Sequence, residues 1–196
     1  MLSNTIETFN SGQRLEIDRR DILKMGLGTL LASVVPLFSA QEAFAKRNFT
    51  SWKIAFRHAH TGESFSGVYR VGDKYIPEAF ERMNYVLRDF RTTEVFPMDP
   101  RVIDILSLLY GRLDATESYQ ILSGYRSPKT NAMLRKTSSG VARNSFHMYG
   151  QAIDIRIPGQ STKLLRNTAL ALKAGGVGYY PNSDFVHVDT GKVRSW

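Results

Sequence analysis

The sequence predicts an α+β fold: a small antiparallel sheet flanked by helices. Three observations point there. Two segments with apolar residues at three- and four-residue steps come before a second half rich in short alternating runs, and turn residues separate those runs. Two of only four histidines also sit beside acid-containing, strand-like stretches at 145–154 and 184–189. At 196 residues the chain can bury one well-filled core and is short for two enzymatic domains.

The first 45 residues stand apart from that fold. Arg19-Arg20-Asp21-Ile22-Leu23-Lys24 opens onto an apolar run at 25–38, and Ala43-Phe44-Ala45 has the small-x-small form of a cleavage site. The run is shorter than the ~20 apolar residues of a bilayer-spanning helix. Paired arginines followed by Ile-Leu-Lys resemble a twin-arginine export signal, with Asp18 where Ser or Thr is usual and Ile22 where Phe is usual. The expected organisation is therefore a signal peptide at 1–45 and an exported, periplasmic domain at 46–196, with no stable membrane anchor after cleavage.

Removing 1–45 leaves 22 basic and 13 acidic side chains, a net charge of +9. Such a domain favours anionic polymers, and outside the cytoplasm the cell wall or lipid head groups are better candidates than nucleic acid. There is no cysteine, so neither disulfides nor thiolate ligands enter.

In chain order, 52–57 and 64–70 alternate as strands around the Thr61-Gly62-Glu63 turn, which predicts a hairpin. Phe80, Met83, Val86, Leu87 and Phe90 make the stripe of a helix over 77–90. Asp99 as N-cap and Pro100 in the first turn open a second helix carrying Val102, Ile105, Leu106, Leu109 and Leu113. A short strand at 119–123, a short helix at 128–135 and a polar loop at 136–144 follow. A strand at 151–157 ends at Pro158-Gly159, and a helix at 162–174 stops at Gly175-Gly176. Strands at 177–180 and 185–189 close the domain.

Side chains alternate along a strand, so Ile153, Ile155 and Ile157 take one face while Ala152, Asp154 and Arg156 take the other. Val186 and Val188 alternate with His187 and Asp189 in the same way. His147 enters from the turn before the first of these strands, with Gly150 letting the backbone pass close to a metal. His147, Asp154 and His187 are thus a candidate three-ligand set for Zn²⁺, leaving a fourth position for a water. Asp184 is the candidate base for that water, provided a turn at 181–183 overrides strand parity, and turn-capping is its alternative role. Asp189 can orient His187 from behind. Arg126, in a loop just after a strand, can grip a substrate carboxylate or a developing oxyanion, and Ser145 either touches substrate or ties down its loop. His58 and His60 lack an acidic partner at ligand spacing and read as non-ligands. A G-x-S-x-G elbow, a P-loop and a dinucleotide fingerprint are all missing.

Ser145-x-His147-x-x-Gly150-x-Ala152-x-Asp154 with Asp184-x-x-His187 resembles the signature of the zinc D-Ala-D-Ala metallopeptidases, which share a fold with lysostaphin-type endopeptidases and the hedgehog signalling domain. Ser123-Gly-Tyr-Arg-Ser, Gly175-Gly-Val-Gly-Tyr-Tyr-Pro and Phe185-Val-His-Val-Asp-Thr-Gly extend the likeness to twin-arginine-exported murein endopeptidases of the MepK type. The resemblance implies a periplasmic zinc endopeptidase that cuts peptidoglycan cross-links, either D-Ala to meso-diaminopimelate or diaminopimelate to diaminopimelate. It implies His147, Asp154 and His187 as ligands, Arg126 as the substrate and oxyanion residue, and Asp184 at the family's acidic position. A catalytically silent, zinc-containing wall-binding module is the alternative that the same ligands allow. A nucleic-acid or lipid binder is motivated by charge alone.

Overall fold

The alternating runs become one sheet. In the computed structural model, which describes residues 51–113, 115–138 and 140–196, eight strands are present among the described residues. They are β1 (Ser51–His58), β2 (Ser64–Val71), β3 (Lys74–Tyr75), β4 (Tyr119–Ser123), β5 (Ala152–Arg156), β6 (Gly176–Tyr180), β7 (Phe185–Asp189) and β8 (Arg194–Ser195). Four helices accompany them among the same residues: α1 (Pro77–Val86), α2 (Pro100–Tyr110), α3 (Pro128–Thr137) and α4 (Thr162–Leu172). The expected signal segment at 1–45 lies outside the described residues.

The α+β expectation holds, with a sheet larger and more mixed than the small antiparallel one foreseen. Its order is β3-β2-β1-β4-β5-β7-β6-β8. The β1–β2 hairpin is antiparallel, and Phe56 faces Phe65 across it. β4, however, pairs with β1 in parallel, as β8 does with β6. The parallel pair arises because the chain runs through α1 and α2 between β1 and β4, a crossover long enough to return the strand in the same direction.

One face of the sheet is apolar and sealed. Ile54, Phe56, Tyr119, Ile121, Ile153, Ile155, Val186 and Val188 are buried there, with Met83 of α1, Leu106 and Leu109 of α2, and Leu165 of α4 in the same core. Each such side chain contributes about 1.5–3 kcal/mol by leaving water. The strands that carry this face present Asp154, His187 and Asp189 on the other.

α1 stops at Val86, short of the expected Phe90. Leu87 is buried where the helix ends, and Phe90 stacks on His60 with ring centroids 4.3 Å apart. Apolar spacing thus continued past the helix because these residues pack from a turn. Asp99 caps α2 as expected, accepting the Arg101 N–H at 3.0 Å, and its own N–H donates to the Gly150 carbonyl. No helix among the described residues is long and apolar enough to cross a membrane.

Candidate metal centre

Register brings the ligands together. Asp154 on β5 stands directly opposite His187 on β7, so the carboxylate and the imidazole leave the same sheet face side by side. His147 arrives from a 3-10 turn, Phe146–Tyr149, that ends at Gly150 in the left-handed region (φ 65°). Gly150 is required for a different reason from the one expected: a Cβ there would run into the Pro97 carbonyl oxygen and the Met98 backbone. The close approach is to the segment leading into α2.

His147 Nε2, Asp154 Oδ1 and His187 Nδ1 converge, with separations of 3.2 Å for His147–Asp154, 3.2 Å for His147–His187 and 2.8 Å for His187–Asp154. Among the described residues they form the one group of three or more His, Cys, Asp or Glu side chains arranged to hold a metal ion. The far side of each ring is also committed. His147 Nδ1–H donates to the Gly124 carbonyl at 2.8 Å, and His187 Nε2–H donates to Asp189 Oδ2 at 3.1 Å. Both bonds turn the other ring nitrogen, His147 Nε2 or His187 Nδ1, toward the cluster, which is how a metal-binding histidine is oriented. The donor set of two imidazoles and one carboxylate suits Zn²⁺.

Burial and charge shape the protonation of these groups. Burial alone would disfavour ionised Asp154, but the two imidazoles outweigh it and hold its carboxyl well below the usual carboxylate range. Burial lowers the pKa of His147. It would lower that of His187 as well, yet hydrogen bonds to Asp154 and Asp189 win and push that ring up to about 9. Asp189 is fully buried and stays ionised against that burial because His187 and Arg194 bond to it. Arg194 grips Asp189 with both Nη atoms, at 3.0 and 2.7 Å.

Arg126 extends over the cluster. Its Nη2 lies 3.3 Å from Ser123 Oγ and 3.5 Å from Asp154 Oδ2, and its Nε is buried without a hydrogen-bond partner. The Arg126 guanidinium lines an open cavity, where its fixed charge can meet a ligand oxygen. The cavity, of about 410 Å³, has the three cluster residues, Arg126 and Ser145 in its lining and Trp196 in its wall. Asp184 is not brought in. It ends the Pro181–Ser183 turn in the left-handed conformation (φ 51°), accepts from Thr162 Oγ1 and lies 3.8 Å from Arg156 Nη1. His58 and His60 are not in the cluster either. His58 is buried, with Nδ1 accepting from the His60 and Thr61 N–H groups.

Sequence comparison decides the family. The family described as peptidoglycan L,D-endopeptidase MepK matches residues 46–196. The chain belongs to that family. The peptidoglycan L,D-endopeptidase MepK of Escherichia coli K12 is 40% identical over 184 residues, covering 93% of this chain and 99% of the relative. A probable peptidoglycan L,D-endopeptidase MepK of Haemophilus influenzae is 42% identical over 144 residues, 73% of this chain and 77% of the relative. Within this MepK-family domain, three parts of the centre had no sequence signal: the Gly124 carbonyl, the Arg194 clamp and Trp196. A backbone acceptor leaves no trace in residue type. Trp196 and Arg194 reach the site only because β8 pairs with β6.

Proposed function

We propose that this domain is a zinc-dependent peptidoglycan endopeptidase that hydrolyses peptide cross-links. The observation that carries the reading is the convergence of His147 Nε2, Asp154 Oδ1 and His187 Nδ1 within 3.2 Å of one another, in a member of the MepK family. When bound, a zinc ion would polarise the scissile carbonyl and lower the pKa of a water that attacks it. The residues of the chain do the rest. His147, Asp154 and His187 hold the ion, Gly124 and Asp189 keep the two rings in register, and Arg126 directs its guanidinium at a substrate oxygen, where charge builds up as the carbonyl is attacked. Ser145 lines the cavity and contacts the peptide there. Asp184 is left out of the proton transfer, since its carboxylate meets Thr162 and Arg156, both outside the group of converging ligands.

Of the two cross-links considered, the diaminopimelate–diaminopimelate bond joins an L-centre carbonyl to a D-centre amine. That is the bond type named for the E. coli relative, and it is the proposed substrate bond here. The proposed location is the periplasm, reached by twin-arginine export with cleavage after Ala45. The Arg19-Arg20 pattern, the Ala43-Phe44-Ala45 site and the start of the family match at residue 46 support it.

The test combines metal analysis with digestion of defined muropeptides. One zinc per chain is expected, with uncross-linked products that disappear in His187→Ala and on adding a chelator. Bound zinc with no new products from either cross-link would overturn the enzymatic reading.

A further inference from the structure

The sheet face that bears Asp154 and His187 continues into a second polar row. Arg156 lies two residues beyond Asp154 on β5, on the same face and roughly 7 Å along the strand. It stands opposite Gln120 of β4, whose Oε1 accepts its Nε–H at 2.5 Å and so fixes the plane of the guanidinium. Ile155 pairs with Val186, so the next residue outward on β7 is Phe185, which lines the cavity and stacks on Tyr180 at 4.4 Å. Asp184 precedes it, with Oδ2 3.8 Å from Arg156 Nη1. The side chains of Arg156 and Asp184 are 35% and 63% exposed. An ion pair this open adds little to folding.

A guanidinium held by Gln120 beside a carboxylate that bonds Thr162 through Oδ1 and keeps most of its surface open is complementary to an ammonium and a carboxylate on one carbon. Diaminopimelate supplies that group. When its L-centre carbonyl is the acyl side of a cross-link, its D-centre keeps a free amine and carboxylate at the end of three methylenes. That end lies roughly 6 Å from the scissile carbonyl by standard bond lengths, close to the spacing between the Asp154 and Arg156 rows.

We propose that Arg156 and Asp184 form a specificity subsite for the free amino-acid end of the acyl-side diaminopimelyl residue, with Arg156 taking the carboxylate and Asp184 the ammonium. The proposal rests on the endopeptidase reading above. It makes the enzyme prefer cross-links whose acyl-side residue is not itself acylated at its second amine. Arg156 alone would attract any peptide carboxylate, and it is Asp184 that makes the subsite recognise the amine.

The test uses the zinc-loaded chain and a disaccharide-linked muropeptide dimer cross-linked between diaminopimelyl residues, intact or N-acetylated on its one free diaminopimelyl amine. Wild-type kcat/KM should fall roughly tenfold on acetylation, mainly through KM, as expected for losing one charge-assisted contact in a partly exposed site. Asp184→Asn should lose a similar factor on the intact dimer and nothing further on the acetylated one. Arg156→Gln should lose on both. Equal cleavage of the two dimers by the wild type would overturn the subsite while leaving the endopeptidase reading intact. An Asp184→Asn loss that is equally large on both dimers and falls on kcat would return Asp184 to the role of base and overturn the subsite. No cleavage of either dimer would remove the endopeptidase reading and the subsite together.

Discussion

At His187 both ring nitrogens are engaged before any ion arrives: Nε2–H on Asp189 and Nδ1 against Asp154. With its pKa raised from 6.5 to about 9, the ring of the metal-free domain keeps a proton on Nδ1 at neutral pH, where the ion must bind. Binding therefore displaces that proton. Below about 9 the affinity for zinc should rise roughly tenfold per pH unit and then level off once the ring has lost the proton. Chelator competition at pH 6, 7 and 8 measures this directly, and an affinity flat over that range would show that Nδ1 is already free. Burial would lower the value, and the carboxylates of Asp154 and Asp189 raise it. Asp189 keeps the proton on Nε2 in either state, so it is Nδ1 that is left for the ion.

At the scale of elements, the site hangs on the loop between β4 and α3, and that loop is held from outside the motif. The Tyr125 N–H donates to the Leu87 carbonyl, the Arg126 N–H to the His147 carbonyl, and the Ser127 N–H to Asp89 Oδ2 at 2.9 Å. Asp89 is 2% exposed and also accepts the Arg91 N–H at 3.0 Å. Asp89→Ala should leave buried N–H groups unpaired and cost about 1–3 kcal/mol of stability, seen as a lower denaturation midpoint. It should also lower kcat/KM by loosening Arg126 and the Gly124 carbonyl behind His147. Unchanged activity in a folded Asp89→Ala protein would show that the loop is held without it. Alternation alone made Asp154, His187 and their apolar partners legible, because parity depends only on residue order. Asp89 was hidden inside what read as a helix stripe, and the end of α1 at Val86 is a tertiary outcome: Leu87 is buried from the turn and gives its carbonyl to a strand-following loop 38 residues away. The parallel β1–β4 pairing was hidden for the same reason, since residue pattern does not encode which edge a returning strand joins. For Asp184, chain position suggested a base, whereas the left-handed turn directs it to Thr162 and Arg156.

For the whole molecule the governing quantity is charge. Residues 46–196 carry a net +9, while the charges around the candidate centre are nearly balanced: Arg126 faces Asp154, and Arg194 faces Asp189. The excess is therefore spread over the surface, where it attracts a wall polymer bearing many carboxylates at long range and contributes little to a single small peptide. Salt separates these two contributions, because screening shortens from ~10 Å at 0.1 M to ~3 Å at 1 M while close, partly buried contacts are screened much less. Binding to insoluble peptidoglycan should weaken roughly tenfold between 50 and 500 mM salt, by the screening argument. Turnover of the small cross-linked dimer should change less, by about threefold at most, since contacts at the buried cluster and Arg126 are screened little and only those at Arg156 and Asp184 are open to salt. Sedimentation with purified wall and dimer hydrolysis in matched buffers measure both. If both fall together with salt, the net charge acts through the site itself; if neither falls, wall binding depends on short-range contacts and the +9 has no role in reaching the polymer.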